Sequence, residues 1–124
     1  MAHFVTAQLR KPASDSLLIL RYFDVPPPHD GFYRAGLRAL DAAARARHNQ
    51  PFTALADADA EALVVDMGAD RIENWAAGTE NAPPASFFYF VVRADAIDVA
   101  YGTPEGFARI GVPYMAHIEP DVNW

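Results

Sequence analysis

The hexapeptide Phe87-Phe-Tyr-Phe-Val-Val92 is the stretch that most limits the folds open to this chain. It is uncharged, and left on a surface it would be an aggregation hazard. Asn81-Ala-Pro-Pro before it reads as a turn, and Ser86 can cap a helix running from Phe87 to about Tyr101. On that helix Phe87, Val91, Ala94 and Asp98 line one face, Phe88, Val92 and Val99 line another, and Phe90 and Ile97 lie between. Its first two turns are therefore apolar all round, and such a helix must be covered on every side. It is either the central helix of a small α-domain or a helix covered in part by another chain. Asp95 and Asp98 also sit on it, and a carboxylate in apolar surroundings needs a partner; Arg93, Arg109 or an arginine of another subunit are the candidates.

Few other segments can supply the cover. From Phe32 to His48 the pattern is helical, with Phe32, Ala35/Gly36, Leu40 and Ala43/Ala44 at 3–4 spacing and Arg34, Arg38, Asp41, Arg45 and Arg47 on the remaining face. Basic residues in its last turn suit the helix dipole, and Asn49 can leave through the left-handed conformation before Pro51. A second helix starts at an Asp57 or Asp59 cap and buries Leu63, Val64 and Met67, then Ile72 and Trp75, with Gly68 a possible break and Gly78 closing the segment. Residues 1–16 look irregular, and Ser16–Val25 is one isolated strand or a short helix, which periodicity cannot separate at this length. Pro26-Pro27-Pro28 implies an extended polyproline passage. Beyond Tyr101, Pro104, Pro113 and Pro120 with Gly102, Gly106 and Gly111 point to coil.

The predicted architecture is mainly α: one small helical domain over residues 1–124 with three main helices near 32–49, 57–77 and 86–101. These form a body at 32–101, flanked by extended, proline-rich N- and C-terminal arms at 1–31 and 102–124. At 124 residues the chain is long enough to fold alone.

A net charge of −6 leaves no basic surplus to neutralise phosphates, which argues against nucleic acid and against an anionic membrane surface. The longest apolar runs fall far short of a membrane span. The absence of cysteine removes disulfides, thiolate zinc sites and a cysteine nucleophile. As written there is no export signal, so the expected location is the cytoplasm; the periplasm is the alternative if the N-terminus is not native or another subunit directs export. None of the glycine-rich nucleotide loops, serine-nucleophile or paired-histidine zinc motifs is present. In the tail, His117 and Glu119 would project to one side of an extended segment, and Tyr114 with His117 could form an acid–base pair. Two donors do not make a metal site, and the pair has no supporting residues nearby in sequence. Tyr114, Met115 and Trp124 read better as apolar anchors of an arm.

Three blocks together resemble the gluconate 2-dehydrogenase subunit 3 family: FYRAGLRALDAAARARHNQPFTAL (32–55), FFYFVVRADAIDVAYGTPEGF (87–107) and IGVPYMAHIEPDVNW (110–124). The likeness covers about three-quarters of the chain. Many relatives open with a twin-arginine export signal that this sequence lacks, and Ala56-Asp57 stands where they often have Ser-Pro. The resemblance implies a non-catalytic small subunit, without a cofactor of its own. It would bind and stabilise an FAD-containing large subunit of the glucose–methanol–choline class, which oxidises sugars or alcohols and in some complexes passes electrons to a haem c subunit. Phe87, Phe88, Phe90, Tyr114, Met115, His117 and Trp124 are then the expected partner-facing or arm-anchoring residues. The alternatives are a homo-oligomeric small-molecule-binding helical module, or a stand-alone enzyme using Tyr114, His117 and Glu119.

Overall fold

A computed structural model describes residues 1–111. Helices α1 (Ala2–Leu9), α2 (Asp30–His48), α3 (Asp57–Gly68), α4 (Ala85–Tyr101) and α5 (Pro104–Arg109) follow one another, with 3-10 turns at Ile19–Tyr22 and Phe52–Ala54 and no strand among the described residues. The mainly helical class expected from sequence is what forms. Two compact units emerge, one contiguous over Val25–Val92 and one joining Met1–Asp24 to the chain from Arg93 onward, with the division falling inside α4. This cuts across the expected partition at residues 31 and 101.

In the contiguous unit, α2 forms where the amphipathic pattern placed it, extended by two residues at its start. Its buried side is Tyr33, Ala35, Gly36, Ala39, Leu40 and Ala44. Asp30 with Arg34 and Asp41 with Arg45 are i,i+4 pairs with the acid on the N-terminal side, the favourable orientation in the helix field. Asn49 at φ 56° ends the helix, its N–H donating to the Arg45 carbonyl at 2.9 Å. The other Asp41 oxygen accepts the Phe52 N–H at 2.9 Å and ties the following turn back to α2.

Helix α3 is shorter than expected, ending at Gly68 rather than near residue 77, and its N-cap is Ala56 rather than an aspartate. Asp57 and Asp59 instead lie in the first turn, where their charge faces the positive end of the helix dipole. Asp70 and Asn74, at φ 53° and 55°, turn the chain out of the helical path. Ile72 and Trp75 therefore reach the core from turns. That core joins Ala39, Leu40 and Ala44 of α2 to Leu63 and Met67 of α3, Trp75, and Ala85 and Phe88 of α4. Each large side chain buried there stabilises the unit by roughly 1.5–3 kcal/mol.

In the second unit, residues 1–16 are irregular only after Leu9: α1 forms before it, although without a side-chain cap and with only Gln8 buried. Ser16–Val25 holds a 3-10 turn rather than a strand, and Leu18 and Leu20 within it are buried. Its backbone is held by side chains: the Leu17 N–H donates to Gln8 Oε1 at 3.0 Å, the Leu18 N–H to Ser16 Oγ at 3.3 Å, and the Ile19 N–H to Asp95 Oδ1 at 3.0 Å. Asp95 is fully buried, and one of its partners is this backbone amide, a group not among the arginines considered from sequence. The Pro27–Pro28 peptide is cis, where a uniform polyproline passage was expected. The chain after Tyr101 is not all coil: Thr103 caps α5, its Oγ1 accepting the Gly106 N–H at 3.1 Å and donating to the Val99 carbonyl at 2.8 Å, with Pro104 in the first turn.

Candidate partner interface

The first two turns of helix α4 are apolar all round in sequence, yet the helix buries one stripe: Ala85, Phe88, Val91 and Asp95. Within the contiguous unit its first turns meet α2 through aromatic rings. Phe32 of α2 lies edge-on to Phe87, centroids 5.6 Å apart at 82°, and 5.9 Å from Phe88. Phe88 in turn lies 6.2 Å from Trp75, and Phe87 stacks on Phe90 at 6.5 Å with planes only 10° apart. The rings thus form a continuous path from buried Trp75 through Phe88, Phe32 and Phe87 to Phe90, which is 44% exposed. Tilted and edge-on pairs of this kind add about 0.5–1.5 kcal/mol each beyond their buried area.

The start of α4 is held in place by the turns before it. The Ser86 N–H donates to Asp70 Oδ1 at 2.9 Å, so the cap comes from a residue sixteen positions back and Ser86 itself is the capped residue. Trp75 Nε1–H donates to the Pro83 carbonyl at 2.7 Å in a buried contact. Gly68 lets the end of α3 approach the Tyr89 ring, since a Cβ there would press on it.

Three carboxylates in this unit sit below the ordinary aspartate value. Asp70 is lowered by hydrogen bonds from the Ser86 side chain and backbone. Asp66 is lowered by the guanidinium of Arg47, at 2.7 Å, and then by Arg71. Asp41 is lowered by the Phe52 N–H and then by Arg45. A carboxylate whose native pKa is depressed contributes stability that is present above its unfolded value, near 3.8 here, and lost as pH falls through the lower native one. Thermal melting is therefore expected to be flat from neutral pH down to about pH 5 and to fall below about pH 4. Asp66→Asn should make that acid-side fall shallower; an unchanged acid limb would exclude the Arg47–Asp66–Arg71 node as a contributor.

Beside that node lies a cleft of about 340 Å³, lined by Arg47, Arg71, Ile72 and Glu73 among others. Its charges cancel, two arginines against Asp66 and Glu73, so it carries no bias toward an anion. Among the described residues no group of three or more His, Asp or Glu side chains could hold a metal ion, and no helix is long and apolar enough to cross a membrane.

The expected interface residues separate into three groups. Phe87 is half-buried and Phe90 exposed, both on the ring path. Phe88 does not belong with them: it is 1% exposed and fills the space over Gly36, so its partner is its own chain. Tyr114, Met115, His117, Glu119 and Trp124 lie outside the described residues. What sequence reading missed is the role of Phe32 as the link between Phe87 and Phe88 and that of Asp70 as the cap of α4. The ring link had a signal, a first-turn aromatic on the best-defined helix. The cap had none, because it joins two turns across the fold.

A family model described as gluconate 2-dehydrogenase subunit 3 matches residues 1–117. The chain belongs to the gluconate 2-dehydrogenase subunit 3 family. No curated protein and no solved structure matches it. As a member of that family, the chain is a small subunit of a multi-subunit dehydrogenase.

Proposed function

We propose that this chain binds and stabilises an FAD-containing large subunit of the glucose–methanol–choline class that oxidises sugars or alcohols, and itself carries no catalytic residue or cofactor. A haem c subunit is the electron acceptor in this reading. The observation that carries the proposal is the Phe87–Phe90 stack, rooted by Phe32 in the core and presented at the surface. An aromatic ring held at the surface on a rigid base suits an interface core, because little side-chain freedom remains to be lost on docking.

Purification of the tagged chain from its native source, with an absorption scan for flavin, tests the reading. The expected result is a stoichiometric flavoprotein whose isolated form melts higher once the small subunit is added back. Phe90→Glu should weaken that association roughly 10–100-fold while leaving the melting temperature of the small subunit nearly unchanged. A soluble, monomeric chain with a sharp thermal transition and no flavoprotein bound would sink the proposal.

A further inference from the structure

The second unit spends several buried polar groups on one exposed turn. Leu18 and Leu20 are buried, and the backbone around them is fixed by the Asp95, Ser16 and Gln8 side chains already described. Within the turn the Arg21 N–H donates to the Leu18 carbonyl at 3.2 Å and the Phe23 N–H to the Leu20 carbonyl at 3.0 Å. Outward from this base stand Arg21, Tyr22 and Phe23, with Tyr22 67% exposed. The Arg21 guanidinium reaches in both directions: Nη1–H donates to the Ser16 carbonyl at 2.8 Å and Nη2–H to the Tyr22 hydroxyl at 2.6 Å. Its Cζ also lies 4.6 Å from the Tyr22 ring centroid, a cation–π contact. The exposed ring is thereby tied to a buried carbonyl through its neighbour.

The base of the turn is rigid. Asp95, a fully buried carboxylate, accepts the Ile19 N–H and steadies that amide. Scattered surface aromatics need no explanation, but a Tyr22 ring two-thirds exposed and held under an arginine, on a base fixed by three side chains, does. Arginine and tyrosine are the residues that most often anchor interfaces, and fixing them beforehand removes ordering cost from binding. The chemistry of the face also states what it needs. The phenol oxygen already accepts from Arg21, so its O–H is left to donate, and the guanidinium adds positive charge beside it. A carboxylate on the partner satisfies both, next to an apolar hollow for the rings.

We infer that Arg21, Tyr22 and Phe23 form a second docking point for the large subunit, seated against an apolar hollow rimmed by a carboxylate. This rests on the reading of the chain as a small subunit bound to a flavoprotein. The test uses the flavoprotein isolated with the tagged wild-type chain, separated from it and rebound to full-length variants. Tyr22→Ala is expected to weaken rebinding at least 10-fold while melting within a few degrees of wild type. Tyr22→Phe, which keeps the ring over Arg21, should weaken it several-fold through loss of the hydroxyl donor. Raising salt should weaken the wild type more than Arg21→Gln, whose charge is gone. Rebinding of Tyr22→Ala and Tyr22→Phe within two-fold of wild type overturns this inference alone. A wild-type chain that captures no flavoprotein overturns it together with the proposed function.

Discussion

Phe88→Ala is expected to destabilise the protein by about 3–5 kcal/mol, the largest single-residue effect in the contiguous unit. The ring is fully buried, packs against Trp75 and Phe32, and belongs to the core that joins α2, α3 and α4. Its removal leaves a void between α2 and Trp75, and Trp75 is held away from it by its hydrogen bond to the Pro83 carbonyl. Thermal melting should fall by on the order of 10–20 °C, reading a few degrees for each kcal/mol. Because Phe32 loses one of its two α4 contacts, the exposed Phe87–Phe90 stack should loosen too, seen as broadened aromatic resonances. A melting temperature within a few degrees of wild type would show that Phe88 is not a keystone of the core.

Gly36→Ala should be the next most damaging change, and for the opposite reason. A Cβ at this position would overlap the Cδ2, Cε2 and Cζ atoms of Phe88. Alanine gains about 0.5–1 kcal/mol of helix propensity over glycine, but forcing a methyl group into a filled core costs about 1–3 kcal/mol or more. The net effect is therefore destabilising, although Gly36 lies in the middle of a well-formed helix. The two changes are coupled: in a Phe88→Ala background the same methyl group enters vacated space, and Gly36→Ala should become neutral or stabilising. A double-mutant cycle on denaturant melts reads this directly, and additive effects would mean that the ring and the glycine do not meet.

The pair also shows how far sequence reasoning reaches. Helix α2 could be read almost residue by residue, because amphipathic spacing, dipole-matched ends and the Asn49 exit all agree. Helix α4 could be located, but not which of its faces is buried. With Phe87, Phe88, Tyr89, Phe90, Val91 and Val92 in succession, hydrophobicity has no direction, and only the approach allowed by Gly36 selects Phe88 as the inward ring. For that reason sequence alone groups Phe88 with the partner-facing or arm-anchoring residues, whereas in the fold it belongs to the core. Helix α3 reads longer in sequence than it is, since Ile72 and Trp75 keep helical spacing past Gly68, whereas the positive φ angles at Asp70 and Asn74 deliver them from turns. Helix α1 was missed because it has neither cap nor clear apolar stripe, and its one buried residue is a glutamine. The local signals for α5 were present, Thr103 followed by Pro104, but were outweighed by the glycines around them. The Arg21–Tyr22 turn was invisible for a different reason, since one of the groups that fix it, Asp95, lies 76 residues further along the chain.

That separation has a consequence for the order in which the protein is made. Residues 25–92 are contiguous, so every contact within their unit is possible once Val92 has left the ribosome. The segment Met1–Asp24 emerges earlier, yet its unit is completed by chain from Arg93 onward, and Ile19 has no Asp95 to bond to until synthesis has passed that point. Buried residues such as Leu18 and Leu20 spend that interval without their final surroundings. The stretch translated before the rest of the fold is the one that settles after it.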